Sequence, residues 1–217
     1  ESERIGDGVW LIGGGSHHSV AIEFSDYAAV IEAPLHEERS LAVIGEVNQL
    51  IPNKPIRFIV TTHHHWDHLG GLRTYVHEGA TVITHEGNKP YYQEILRAGL
   101  WSLEPDRFSL HPPEEWSEGY IFETLSEKYV LADATRSVEL YNVQGLAHAA
   151  GMLIAYIPDE KIVVQADLYF PTAPTPNASA RTLNRNLRRL NLDVETIVGI
   201  HGRPASISQF TEFIGSE

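Results

Sequence analysis

Short apolar runs alternate along the chain with stretches in which apolar residues recur at helical spacing. "VWLI" (Val9–Ile12), "SVAIEF" (Ser19–Phe24) and "YAAVIEA" (Tyr27–Ala33) are rich in β-formers and separated by Gly-rich or Ser-Asp turn signals, so they are expected to be strands. Leu41, Ile44, Val47 and Ile51 then recur among charged residues until Pro52, which predicts an amphipathic helix with those residues inward. "IRFIVTT" (Ile56–Thr62) is apolar but for Arg57 before its threonines, the mark of a strand buried on both faces. A short helix with Leu69, Leu72 and Val76 inward, a strand at "TVIT" (Thr81–Thr84) and a helix opened by Asn88 and Pro90 and closed by Gly99 complete the first half.

Prolines and acids break every pattern from Trp101 to Glu118, which is expected to be an irregular surface excursion. Its aromatics Trp101, Phe108 and Trp116 suit a pocket wall or a satellite core. Strands resume with "YVLAD", "SVELYNV", "MLIAYI" and "KIVVQAD" between Tyr129 and Asp167, with a hairpin turn at Pro158–Lys161. Pro171–Ser179 is expected to be a loop, Leu183, Leu187 and Leu190 a small helix, and "TIVGI" the last strand. Ser206 with Gln209 reads as a capping box for a terminal helix whose Ile207, Phe210 and Ile214 face inward. Each half places strands first and helices later. That order predicts an α/β domain over residues 1–217, with two sheets face to face and helices outside.

The formal net charge of −13 disfavours nucleic acid as a partner and leaves a small molecule as the expected one. The absence of cysteine excludes disulfides and a thiolate nucleophile. No apolar run is long enough to be a membrane span. The chain starts at Glu1 and its only methionine is Met152, so it is expected to be a processed or excised part of a longer precursor. Compartment and oligomeric state stay open.

The chemistry concentrates in "VTTHHHWDHLGG", Val60–Gly71. His63 and His65 lie two apart on an extended segment and point the same way, so both can reach one ion. Asp67 and His68 follow where the chain turns into a helix, aimed at a second point nearby. His64 and Trp66 should point the opposite way, toward packing or bracing roles. Zinc takes imidazole nitrogen and carboxylate oxygen readily. Further donors are needed, and His148, Asp167 and His201 each stand alone at a strand terminus.

This set resembles the metallo-β-lactamase-fold hydrolases. The resemblance runs from "GDGVWLIGG" through His63-x-His65-x-Asp67-His68 to His148, Asp167 and His201, essentially the whole chain. It implies a four-layered αββα sandwich of two mixed sheets. By position, His63, His65 and His148 would hold one metal, Asp67, His68 and His201 a second, and Asp167 would bridge them. Two Zn2+ are implied, with Mn2+ or Fe2+ as alternatives. Two such ions share a hydroxide that attacks a polarised carbonyl or phosphoryl group. Asp67 would orient the attacking water and carry a proton. Two positions depart from the pattern: Glu32-Ala33-Pro34 stands where the family often has Asp-Thr-Gly, and Ala149 where a hydroxyl residue often follows the third histidine.

The presence of both His68 and Asp167 is similar to the glyoxalase-II, lactonase and phosphodiesterase branches. That implies hydrolysis of a small ester-, lactone-, thioester- or amide-type substrate, with β-lactam hydrolysis as an alternative. A mononuclear iron sulfur-dioxygenase-like oxidoreductase on the same fold is the alternative from another class. Tyr169 is a candidate oxyanion donor. His17 or His18, in a turn between early strands, is a candidate for touching substrate or a solvated turn residue. Arg203 is a candidate for binding a substrate anion, and Arg181, Arg185, Arg188 and Arg189 for the wet face of a helix.

Overall fold

The computed structural model describes residues 1–98, 104–112 and 121–215. One sheet has seven strands in sequential order: β1 (Ser2–Gly6), β2 (Val9–Ile12), β3 (Ser19–Glu23), β4 (Ala28–Ile31), β5 (Ile56–Val60), β6 (Thr81–His85) and β7 (Phe122–Leu125). The first four pair antiparallel and the rest parallel. The parallel crossovers carry the helices α1 (Glu37–Leu50), α2 (Trp66–Leu69), α3 (Leu72–His77), α4 (Lys89–Ala98) and α5 (Arg107–Leu110). The other sheet runs β13 (Ala205–Ser206), β12 (Thr196–Gly199), β11 (Ile162–Gln165), β10 (Leu153–Ile157), β9 (Ser137–Asn142), β8 (Lys128–Ala132). It is antiparallel except for β11–β12, whose connection holds α6 (Ala178–Leu190), and α7 (Ile207–Ile214) ends the fold.

Period-two geometry sorts the apolar residues into three layers. Val20, Ile22, Ala29 and Ile31 of one sheet meet Leu153, Ala155, Ile157 and Val198 of the other between the sheets. Ala21, Ala28 and Val30 point outward against Val43, Val47, Leu72 and Tyr75 of α1 and α3. Ile154, Tyr156 and Ile197 point outward against Leu183 and Leu187 of α6 and Phe210 and Ile214 of α7. Central strands buried on both faces must be apolar at every position, which is why their sequences run without alternation. The result is the expected αββα sandwich.

The edges of the sheets were the least legible parts. The strands β1, β7 and β13 lack the apolar runs that mark the others: Ser2, Glu3 and Arg4 of β1 are exposed because an edge strand buries little. The inner face of α1 is centred on Ser40, Val43 and Val47, not on Leu41 and Ile44, which are half-buried at its flank. The helix after the histidines is two pieces, α2 and α3, broken at Gly70–Gly71. A 3₁₀ turn at Glu86–Asn88 leads into α4; the expected stop at Gly99 lies outside the described residues, as do Trp101 and Trp116. Within the expected irregular excursion, Arg107–Leu110 is helical and Phe108 is buried under the Arg73 guanidinium. The hairpin turn at Pro158–Lys161 and the Ser206–Gln209 capping box are present.

Candidate metal centre

The site lies where strand ends from both sheets meet. The β5 strand delivers Thr61, Thr62 and His63; α2 carries Asp67 and His68. Asp167 follows β11 in a left-handed conformation (φ 58°), His201 follows β12, and His148 precedes β10. The sheets are joined here by main-chain bonds: Leu153 N–H donates to the Thr62 carbonyl and His18 N–H to the Ile200 carbonyl, each at 2.8 Å.

Glu32, just past β4, braces the histidine loop. It is fully buried, with φ 74°. One carboxylate oxygen accepts from Thr62 N–H at 2.6 Å and the other from His68 Nδ1 at 2.6 Å. Tyr92 of α4 donates its hydroxyl to the His63 carbonyl at 3.0 Å, and Thr62 Oγ1 lies 3.0 Å from His63 Nδ1. His201 Nδ1 donates to the Ser16 carbonyl at 2.8 Å. These contacts fix each ring with Nδ1 outward and Nε2 toward the centre, the arrangement in which a partner on one nitrogen sets the tautomer of the other.

Two groups of donor atoms converge. His63, His65, His148 and Asp167 each place a ligand atom within 4.8 Å of one another, and so do His17, Asp67, His68 and His201. Asp167 joins them: its Oδ2 lies 3.1 Å from His148 Nε2, 3.4 Å from His63 Nε2 and 3.3 Å from His68 Nε2, and its Oδ1 lies 3.0 Å from His201 Nε2.

Left to itself this cluster is under-satisfied. His63 Nε2 is buried without a hydrogen-bond partner. The Nε2 atoms of His68 and His201 face each other at 3.3 Å although both rings commit Nδ1–H elsewhere. Two inward lone pairs at that distance repel unless a proton or a cation lies between them. For a tetrahedral ion bonded at about 2.0–2.1 Å, neighbouring donors stand ~3.3–3.4 Å apart, which matches these separations. The donor set therefore fits divalent metal.

Burial pulls the His68 imidazole down, but the Glu32 and Asp167 carboxylates outweigh it and hold its pKa up at about 10. Burial pushes the Asp167 carboxyl up, yet the imidazoles of His201, His63 and His68 gathered around it hold it well below the usual carboxylate range. Burial likewise raises Asp67, and the His17 hydrogen bond and the His68 charge more than reverse it. The imidazoles of His65 and His17 are lowered chiefly by burial, and that of His201 is raised chiefly by Asp167.

All seven residues expected as ligands come together here. Tyr169 does not join them: its ring is buried against Phe210 and Phe213 of α7, because the chain after Asp167 turns into the outer apolar layer. Arg203 is exposed and lines a cavity of about 520 Å³ with Tyr169, Pro171, Gln209 and Phe213. Trp66, expected to pack, is 66% exposed beside the cluster. His64 lines a cavity of about 270 Å³ with His85, Asn88, Tyr91, Ala150 and Gly151, bordering the loops of His63 and His148. Sequence reading left the bracing role of Glu32 open and did not single out Tyr92. Glu32 carries a faint signal, an acid directly after an all-apolar strand, while Tyr92 sits on a helix like any core residue.

The family model of the metallo-beta-lactamase superfamily matches residues 12–201. Among solved structures, the metallo-beta-lactamase from Pontibacter korlensis superposes with a TM-score of 0.70 at 20% identity, covering 97% of this chain and 94% of that one. TMB-1 gives 0.71 at 16%, covering 98% and 94%, and the metallo-beta-lactamase DIM-1 gives 0.70 at 14%, covering 97% and 92%. At such identities the likeness is one of fold. No curated protein matches the sequence. Matched over most of its length and built on the same αββα sandwich, the chain belongs to the metallo-β-lactamase superfamily.

Proposed function

We propose that this chain is a binuclear metal-dependent hydrolase of a small ester-, lactone-, thioester- or amide-type substrate. His63, His65 and His148 hold one ion, Asp67, His68 and His201 the other, and Asp167 is shared. The observation that carries the reading is the position of Asp167 Oδ2, within 3.1–3.4 Å of imidazoles from both sets. Bound there, two zinc ions supply Lewis acidity and bring the ionisation of water down to about neutral pH.

The chain's own residues do the rest. Asp67 is partly exposed, with Oδ2 3.7 Å from His68 Nε2, and is placed to orient water and carry a proton to a leaving group. Its lowered pKa keeps it ionised, as an acceptor for the water's hydrogen bond. The cavity beside His64 and Tyr91 offers apolar and aromatic contact to a substrate next to the exposed His148.

The test is a panel of lactones, thioesters, carboxylic esters and β-lactams on zinc- and manganese-loaded protein, with Asp67→Asn in parallel. Turnover of at least one class, reduced about 10²–10⁴-fold in Asp67→Asn with metal retained, is expected. No turnover by protein holding two ions refutes the hydrolase reading. One iron per chain with oxygen consumption replaces it with the oxidoreductase.

A further inference from the structure

The geometry points to His17 as a fourth protein ligand of the Asp67–His68–His201 ion. This rests on the two-ion reading above and goes beyond the seven residues assigned there.

His17 lies in the turn between β2 and β3, yet it is buried, with Nε2 3.3 Å from Asp67 Oδ2. Its Nδ1 lies 2.8 Å from Ser16 Oγ, which leaves Nε2 as the inward nitrogen. The ring stands edge-on to His201 and His68, with centroids 4.2 and 5.4 Å away. A solvated turn histidine would have none of this.

The turn is also held in place from several sides. Arg39 of α1 reaches under it to donate to the Ile12 carbonyl at 3.1 Å and the His17 carbonyl at 3.4 Å. A Cβ at Gly14 would collide with that guanidinium, so the glycine is what admits the brace. Gly13 N–H donates to the Glu1 carbonyl at 2.7 Å, and His18 N–H to the Ile200 carbonyl at 2.8 Å. The Ser16 carbonyl is the very group that orients His201. One turn therefore sets two imidazoles on the same point, which is what a ligand-bearing segment requires.

The chemical consequence is an asymmetric centre. With Asp167 shared, one ion has four protein donors and the other five. A catalytic zinc site ordinarily keeps about three protein ligands and an open position. Substrate is then bound on the side of the exposed His148, and the His17 side serves to hold and charge the second ion.

The experiment is a cobalt titration of metal-free wild type and His17→Gln, read by the visible absorption of each bound equivalent. It is paired with imidazole ¹⁵N spectra of histidine-labelled wild type during zinc titration. Expected are two equivalents in wild type and, in His17→Gln, an unchanged first equivalent with a second weakened at least tenfold and an altered band. The His17 Nε2 resonance should move with the second zinc. If both equivalents bind His17→Gln with wild-type affinity and spectrum, His17 is no ligand, although the two-ion reading survives. A wild-type chain that takes one ion without moving the His17 resonance overturns both. Should His17→Gln fail to fold, the wild-type ¹⁵N shift alone decides: movement supports ligation and a static resonance refutes it.

Discussion

Replacing Glu32 by Gln changes one atom and unsettles two buried donors. The carboxylate takes Thr62 N–H and His68 Nδ1–H at 2.6 Å each, with no exposure to water. A Gln amide has one oxygen, so it can serve only one of them, and its NH2 group is forced against the other. A hydrogen bond to a charged group contributes about 1.5–3 kcal/mol, and an orphaned buried donor costs ~1–3 kcal/mol. The expected loss for Glu32→Gln is therefore roughly 2–4 kcal/mol in metal-free protein, a fall of about 5–15 °C in Tm for a chain of this size. Freed from Glu32, His68 no longer has Nδ1 fixed as the protonated nitrogen, and the second metal equivalent should weaken ~10–100-fold. Urea unfolding at pH 7.5 and metal titration of the same preparation measure both effects. Stability within about 0.5 kcal/mol of wild type, with metal affinity intact, would refute the claim that this acid braces the loop.

Asp106, which caps α5 and pairs with Arg73, is raised by burial but brought down to about 2 by the Arg73 and Ser109 hydrogen bonds. A folded pKa below the unfolded one stabilises above pH 4 and loses its effect as pH falls toward 2. Asp106→Asn should therefore cost ~1–2 kcal/mol at pH 6 and roughly half that at pH 3 in urea unfolding; a gap independent of pH contradicts the assignment. At Gly70 an added Cβ would strike the Leu35 carbonyl, so Gly70→Ala should destabilise by about 1–3 kcal/mol by displacing the helix that carries Asp67 and His68, measured as a fall in Tm and in metal affinity. Tyr92→Phe removes the hydroxyl bonded to the His63 carbonyl and should cost ~1–2 kcal/mol in thermal unfolding; no change would mean that the carbonyl finds another donor. Tyr169→Phe should leave kcat within about twofold, since the ring is packed against Phe210 and Phe213; a hundredfold loss would restore the oxyanion role.

The sandwich was legible wherever burial constrains sequence. Strands such as Ala28–Ile31 and Leu153–Ile157 lie between two apolar layers and must be apolar throughout, so they announce themselves. Ser2–Gly6 and Phe122–Leu125 form the two edges of their sheet; Ser2–Arg4 and the middle of Phe122–Leu125 face water, and their residues carry little pattern. The converging donors were legible for a chemical reason: His-x-His-x-Asp-His is costly to assemble without a cation, and His148, Asp167 and His201 are polar groups left at apolar strand ends. His17 was harder to place, because a histidine in a glycine-rich turn looks solvated until Arg39 and Ile200 are seen to pin that turn down. Glu32 and Tyr92 brace the histidine loop, and their contacts arise only when β4, β5 and α4 come together.

The most direct test of the binuclear centre is anomalous scattering from a crystal of zinc-loaded protein at the zinc absorption edge. Two peaks about 3.5–4 Å apart on either side of the Asp167 carboxylate are predicted, one among His63, His65 and His148 and the other among Asp67, His68 and His201. A single peak, or zinc bound away from Asp167, would contradict the account.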